Sequence, residues 1–566
     1  MSRRLVGALL SLLAALSWPA HSGAQALPRR PDLDGFIAAL AAGRGDALGY
    51  VSAIERAELN ELYGPAGAAK WLDTDGRPTR NVRDALAVLN GASDDGLDPA
   101  DYFQSLVAGL LPGAEAGTLA PQDLARLDVA LSAGMLRYLR DLHMGWIDPR
   151  SIGFLLPTPH DQDDLALLLG GALADGQVGK LAVDLRPPLA QYRLLRAWLP
   201  RYRALAANPA LVPPRAAARA IRPGDAYDDI DALRRLLIAL GDLSTPAAPS
   251  PDSRYQGALV EGIERFQVRH GLAVDGVIGR RTMAELGVPL AWRVRQIELA
   301  LERLRWLPHL GAERFIALNI PMFRLWAWNA APPAGVPAFG MDAIVGRALS
   351  TETPVMAAEL QDVVFRPYWN VPRSILLKEV LPAIQRDPEY LRREDMEIVG
   401  GDDRPVALTP AAIAGLRAGR LRVRQRPGPN NALGLIKFVF PNRDDIYIHG
   451  TPARALFSRS RRDFSHGCVR VVDPVALAEW VLRDLPEWTR ARIVAATMGQ
   501  ETTWVALPRP IQVFLFYTTA AVMPEDDTMR FADDIYRHDS RLEQALERVH
   551  QRRTRPVSTW TKSDAG

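Results

Sequence analysis

Asp445-Ile446-Tyr447-Ile448-His449-Gly450, followed after an arginine-rich loop by Asp463-Phe464-Ser465-His466-Gly467-Cys468-Val469-Arg470-Val471, is the stretch on which the reading of this chain turns. Cys468 is the sole cysteine among 566 residues. A lone cysteine is ordinarily a small buried hydrophobe, and a thiol with the unperturbed pKa of about 8.5 is only a few per cent thiolate at neutral pH. A nucleophilic cysteine therefore needs a base or a positive field beside it, and His449 and His466 are the imidazoles at hand. A strand over Asp445 to His449 would set Asp445, Tyr447 and His449 on one face and turn Ile446 and Ile448 into a core. Gly467 lets the backbone approach closely and orient successive amides, the property an oxyanion hole requires. Asp473-Pro474 reads as the N-cap and first residue of a helix that carries Val475, Leu477, Ala478, Val481 and Leu482. The loop between the two runs holds Arg454, Arg459, Arg461 and Arg462, charges that are ordinarily solvated.

Working outward, Met1-Ser2-Arg3-Arg4, the apolar run Leu5 to Leu16 and the small residues Ala24-Gln25-Ala26 read as a signal peptide over residues 1–26. The run is shorter than the ~20 residues that span a bilayer; an uncleaved anchor is the alternative, and no cysteine follows it to take a lipid. Export makes the single thiol telling, because exported proteins usually pair or avoid their cysteines. With 68 basic against 65 acidic residues and a net charge of +3, the chain carries no excess charge that would point to nucleic acid as a partner.

This length predicts several domains. Residues 27–220 are rich in Leu, Ala and Arg, with apolar residues at helical spacing (Leu124, Leu127, Leu131, Met135, Leu139), and read as a helical scaffold. Residues 224–290 form a compact unit in which Leu233, Leu236, Leu237 and Leu240 mark one helical face and Leu259, Ile263 and Phe266 another. Its run Phe266-Gln267-Val268-Arg269-His270-Gly271-Leu272, with Asp275-Gly276-Val277-Ile278-Gly279 and Thr282, resembles the small three-helix peptidoglycan-binding module. A helical connector follows over 291–310. From 311 to 540 strand-like runs dominate, among them Phe315 to Ile320, Arg324 to Trp328, Asp362 to Phe365, Ile436 to Phe440 and Gln512 to Tyr517. Within them, about 376–429 reads as a helical insertion capping a cleft, and 541–566 as a C-terminal tail. The fold class is multidomain α+β: helical scaffold, three-helix module and mainly β catalytic domain.

His449-Gly450, the spacer and Ser465-His466-Gly467-Cys468-Val469-Arg470 closely resemble the signature of L,D-transpeptidases with a YkuD-type catalytic domain. The order of scaffold, inserted module and capped catalytic domain resembles the large YcbB-like members. Arg303-Leu304-Arg305-Trp306, Trp369-Asn370-Val371-Pro372 and Gly428-Pro429-Asn430-Asn431-Ala432-Leu433-Gly434 extend the likeness. The resemblance implies an acyl transfer with Cys468 as nucleophile, His449 as general base and His466 as the alternative base or an orienting residue. It implies the Gly467 backbone N–H, with that of Cys468 and the Tyr447 hydroxyl, as oxyanion donors, and Arg470, Ser465, Trp369 and Asn370 as substrate-binding residues. The donor would be a peptidoglycan tetrapeptide stem cut between diaminopimelate and D-alanine, and the acceptor the diaminopimelate amine of a second stem, giving a 3→3 cross-link. An L,D-carboxypeptidase and a lipoprotein-to-peptidoglycan ligase share the nucleophile; a non-catalytic wall-binding scaffold is the reading from another class. Carbapenems are expected as covalent inhibitors, other cell-wall enzymes as possible partners, and the periplasm as the compartment. No phosphate-binding loop or metal-site motif is present, so no cofactor and no metal are expected.

Overall fold

The computed structural model describes residues 31–44, 48–156, 163–244, 253–307, 313–329 and 336–554; the expected signal at 1–26 lies outside them. No described helix is long and apolar enough to cross a membrane.

The helix Pro121–Met144 is the axis of the scaffold and is buried along most of its length. Its inward polar residues survive burial because each is partnered. Asp128 accepts from the backbone N–H groups of Lys70 and Trp71 and from the Tyr63 hydroxyl at 2.7 Å, and Arg137 pairs with Glu55 at 2.6 Å. The helices Pro31–Ala41, Ala53–Tyr63, Arg80–Asn90 and Leu165–Asp175 pack around it, and Ala190–Ala206 lies against Leu290–Arg305, the helix that leads into the catalytic domain.

The module comprises the helices Ile230–Leu240, Ala258–Arg269 and Arg280–Leu286 around one small core. The glutamine of its motif is what builds the turn. Gln267 Nε2 donates to Asp275 Oδ1, Val277 O and Thr282 Oγ1, while its Oε1 accepts from the backbone N–H groups of Asp275 and Gly276. The motif thus specifies the fold of the module. His270 is a buried helix-end residue stacked on Phe266 at 3.9 Å and facing Phe531.

The catalytic region opens with β1 (Phe315–Asn319), β2 (Arg324–Trp328), β3 (Phe339–Gly346) and β4 (Met356–Phe365). Four short strands of an insertion follow: β5 (Trp369–Asn370), β6 (Met396–Val399), β7 (Pro405–Val406) and β8 (Arg422–Gln425). The chain returns as β9 (Ile436–Val439), β10 (Ile448–His449), β11 (Asp463–Ser465), β12 (Val469–Val471) and β13 (Thr503–Phe516), then a hairpin of β14 (Ala520–Val522) and β15 (Met529–Phe531). The nine-stranded sheet runs β11-β3-β12-β10-β9-β4-β13-β1-β2, and β2 also pairs with β3, which closes it into a barrel. Closure pairs strand edges that would otherwise stay open. Ile316, Leu325, Val363, Phe438, Ile448, Val469 and Val513 fill its core. Parallel pairing of β10 with β12 sets Ile448 beside Val469 and His449 beside Arg470, which brings the two halves of the opening motif together.

Three boundaries differ from the sequence reading. The cap begins at Trp369, ahead of 376, because Trp369 and Asn370 pair with Gln425 and Arg424 of the cap's own sheet, β5-β8-β6-β7. The helices Leu381–Arg386 and Pro410–Arg417 complete it around a separate core containing Leu376, Ile384, Ile398, Leu416 and Val423. The strand expected from Asp445 shrinks to Ile448–His449. Asp445 has a φ of 53°, and the Asn442 side chain captures both the N–H and the C=O of Ile446, which removes them from the ladder. The part of the expected tail within the described residues is a packed helix, His538–Thr554. Leu542, Ala545 and Leu546 are buried against the barrel, and Arg553 clamps Asp141 of the scaffold at 2.6 and 2.8 Å.

Candidate active site

Cys468 sits at the entry of β12, partly exposed. Its closest functional neighbour is Tyr447, whose backbone N–H and hydroxyl both hydrogen-bond the sulfur; the thiol also approaches Asp445 O at 3.7 Å. Burial pushes the Cys468 thiol up, against the opposing pull of the Tyr447 hydrogen bonds and of the Lys437 and Arg470 charges. Burial likewise drives the Tyr447 hydroxyl well above its ordinary range, so it stays a donor. The Trp369 side chain, at the start of the cap, hydrogen-bonds the same hydroxyl.

His449 lies between two cations. Its cross-strand neighbours are Lys437 on β9 and Arg470 on β12. Burial first, then Arg470 and Lys437, depress its pKa to about 3, although the Gly450 and Leu433 carbonyls oppose this. His449 is therefore a neutral imidazole at physiological pH, with Nδ1 set 2.5 Å from Gly450 O. Its ring stands 5.6 Å from that of Tyr447, so the two project together; among the described residues it makes no hydrogen bond to Cys468.

Gly467 has a φ of 116°, in the region that favours glycine. Its N–H, expected as an oxyanion donor, instead donates to Ser465 Oγ at 3.2 Å; a serine hydroxyl two residues back is in reach of the amide and competes for it. Ser465 Oγ in turn donates to Cys468 O at 2.5 Å, so Ser465 shapes the nucleophile's backbone, whereas the sequence reading set it against substrate. Thr353 Oγ1 donates to Gly467 O at 2.7 Å and accepts from Gly346 N at 2.8 Å, and Thr351 Oγ1 donates to Ser465 O at 3.0 Å. Nothing in the sequence pattern singled out these threonines.

His466 is turned outward to the cap, with Nε2 2.7 Å from Glu379 Oε1. Glu379 lies in Leu376–Val380, a wide turn of π-helical hydrogen bonding, a geometry common at functional sites. Arg470 is half-buried, and its Nε is shielded from water without a hydrogen-bond partner among the described residues. Asn370 is exposed on β5. Arg461 and Arg462 of the loop are structural: Arg461 grips Asp463, and Arg462 reaches Asp342 and the Ala343 and Phe323 carbonyls. Lys437, which the sequence reading passed over, faces the site with its ammonium 3.9 Å from the Tyr447 ring centroid.

Comparison with known proteins agrees with this division of the chain. Residues 313–505 match the L,D-transpeptidase catalytic domain of the YkuD type, residues 57–199 a scaffold domain, and residues 226–286 a domain provisionally described as peptidoglycan binding. A Haemophilus influenzae protein provisionally named an L,D-transpeptidase is 33% identical over 251 residues, 44% of this chain and 49% of the relative. The aligned part thus spans about half the length of that curated relative. The barrel with its single thiol thus matches the YkuD-type L,D-transpeptidase catalytic domain, on a chain that also matches a scaffold domain and a domain provisionally described as peptidoglycan binding.

Proposed function

We propose that the chain is a cysteine-dependent L,D-transpeptidase that forms 3→3 cross-links between peptidoglycan stems in the periplasm. The observation that carries the reading is the setting of Cys468: the sole thiol, in a domain that matches this family, with two Tyr447 donors on its sulfur and the half-buried Lys437 and Arg470 acting on it. In the first half-reaction Sγ adds to the carbonyl carbon between diaminopimelate and D-alanine of a tetrapeptide donor. The thiol proton passes to a base, and neutral His449 has the required protonation state. The C–N bond then breaks and D-alanine leaves as the amine, taking up a proton. In the second, the diaminopimelate amine of another stem attacks the thioester and Cys468 leaves as thiolate. The thioester retains the acyl-transfer potential of the donor amide, so no nucleotide enters the balance.

The Tyr447 hydroxyl and backbone N–H are the donors nearest the reacting atom, and donors placed where charge develops are the largest single contribution in many acyl transfers. Glu379 and His466 tie the cap to the catalytic loop beside that atom, and Trp369 reaches from the cap to Tyr447; both support a donor stem held between cap and barrel. Carbapenem acylation of the same sulfur belongs to the same proposal. Mass analysis of products from purified tetrapeptide fragments tests it. A 3→3 dimer with release of D-alanine is expected; tripeptide without dimer would make the enzyme an L,D-carboxypeptidase, and unchanged substrate would overturn the reading.

A further inference from the structure

Lys437 is a lysine in an unusual place. It stands half-buried on β9 as the cross-strand partner of His449, with its ammonium over the Tyr447 ring at 3.9 Å. Among the described residues no carboxylate comes within ion-pair distance of it, whereas Arg324, Arg461 and Arg462 of the same domain each have one. Desolvation alone pulls its pKa down, and the two groups that oppose this are the Cys468 thiolate and Asp445. Withdrawing an ammonium even partly from water without an anion is unfavourable, so the arrangement makes sense when the anion it awaits is the sulfur. The ring holds the lysine in place, because a cation is drawn to the aromatic face, and that same tyrosine donates to the sulfur.

The other charged or titratable groups around the thiol are accounted for. His449 on β10 is neutral, His466 is engaged by Glu379 of the cap, Asp445 is exposed, and Arg470 on β12 is the second cation. We propose that Lys437 acts as a positioning residue for catalysis: seated on Tyr447, its ammonium supplies, with Arg470, the positive field that sustains the Cys468 thiolate before attack and again when it leaves the thioester. No bond forms to Lys437, and the thiol proton goes to the base. The proposal rests on Cys468 being the nucleophile.

The test is the rate of iodoacetamide alkylation of the chain's only thiol, followed by mass, from well below to well above the ordinary thiol pKa of about 8.5. Lys437→Met is expected to move the midpoint up by about one unit and to slow alkylation at neutral pH about tenfold, with rates converging at high pH. Lys437→Arg, which keeps the charge, is expected to follow the wild type. If Lys437→Met does not fold, as judged by circular dichroism, Lys437→Gln takes its place with the same expectation. A neutral variant whose profile superimposes on wild type, one slowed equally at every pH, or an Arg variant that behaves like Met, overturns the proposal. No wall substrate enters this assay, so its failure is separate from failure of the transpeptidase reading in the product analysis.

Discussion

Replacing Gly467 with alanine probes the turn that presents the nucleophile. Gly467 holds a φ of 116°, a setting that costs an L-residue on the order of 1–3 kcal/mol. A Cβ built there would lie 3.1 Å from Ile446 Cδ1, so the isoleucine must give by a few tenths of an ångström or the backbone must rotate. Both outcomes reach the chemistry. Ile446 precedes Tyr447, whose two donors hold the sulfur, and Gly467 precedes Cys468 itself. A misplacement of about 1 Å at a reacting group costs about 10²-fold. Gly467→Ala is therefore expected to fold, to lose about 1–3 kcal/mol of stability in denaturant unfolding, and to release D-alanine from a tetrapeptide donor about 10²-fold more slowly. Wild-type stability and wild-type turnover together would refute the reasoning; destabilisation with full activity would reduce the turn to a structural role.

Stability should rise with pH between about 3 and about 6.5. Burial depresses His449 and His538 to about 3, whereas the unfolded imidazole titrates near 6.5. In that window the unfolded chain binds protons the folded chain does not, so the contribution is complete above about 6.5 and is lost as pH falls toward 3; equal denaturation midpoints at the two ends of the window would contradict this. Arg553→Ala leaves Asp141 buried and unclamped and should cost about 3–5 kcal/mol, read as earlier proteolysis of the helix His538–Thr554; an unchanged cleavage rate would contradict it. Glu379→Ala removes the partly exposed pair with His466 and should change stability by less than about 1 kcal/mol, while hydrogen exchange in Leu376–Val380 accelerates. Unaltered exchange there would show that the Glu379–His466 pair does not hold the cap to the catalytic loop.

The thiol motif, the glycine turn and the module were legible because their signals are local: a thiol that follows two imidazoles, and a glutamine within reach of an Asp-Gly turn. Lys437 was not, because an alternating Ile436-Lys437-Phe438 reads as a strand with its lysine in solvent. Only the β9-β10-β12 adjacency, set by barrel closure, turns that position toward the sulfur. The Gly467 N–H was assigned to an oxyanion from residue type, yet the Ser465 hydroxyl two positions away takes it. The cap's sheet rests on strands as short as two residues, too short for alternation to register. The helix beginning at His538 is polar around most of its surface and buries only a narrow stripe through Leu542, Ala545 and Leu546.

The central claim is that Cys468 carries the acyl group. The most direct measurement is the intact mass of the protein after incubation with a tetrapeptide donor and no acceptor, followed by peptide mapping of the adduct. The account predicts a mass increase equal to the donor less D-alanine, located on Cys468 and absent from Cys468→Ala. An adduct on another residue, or cross-linking by Cys468→Ala, would contradict it.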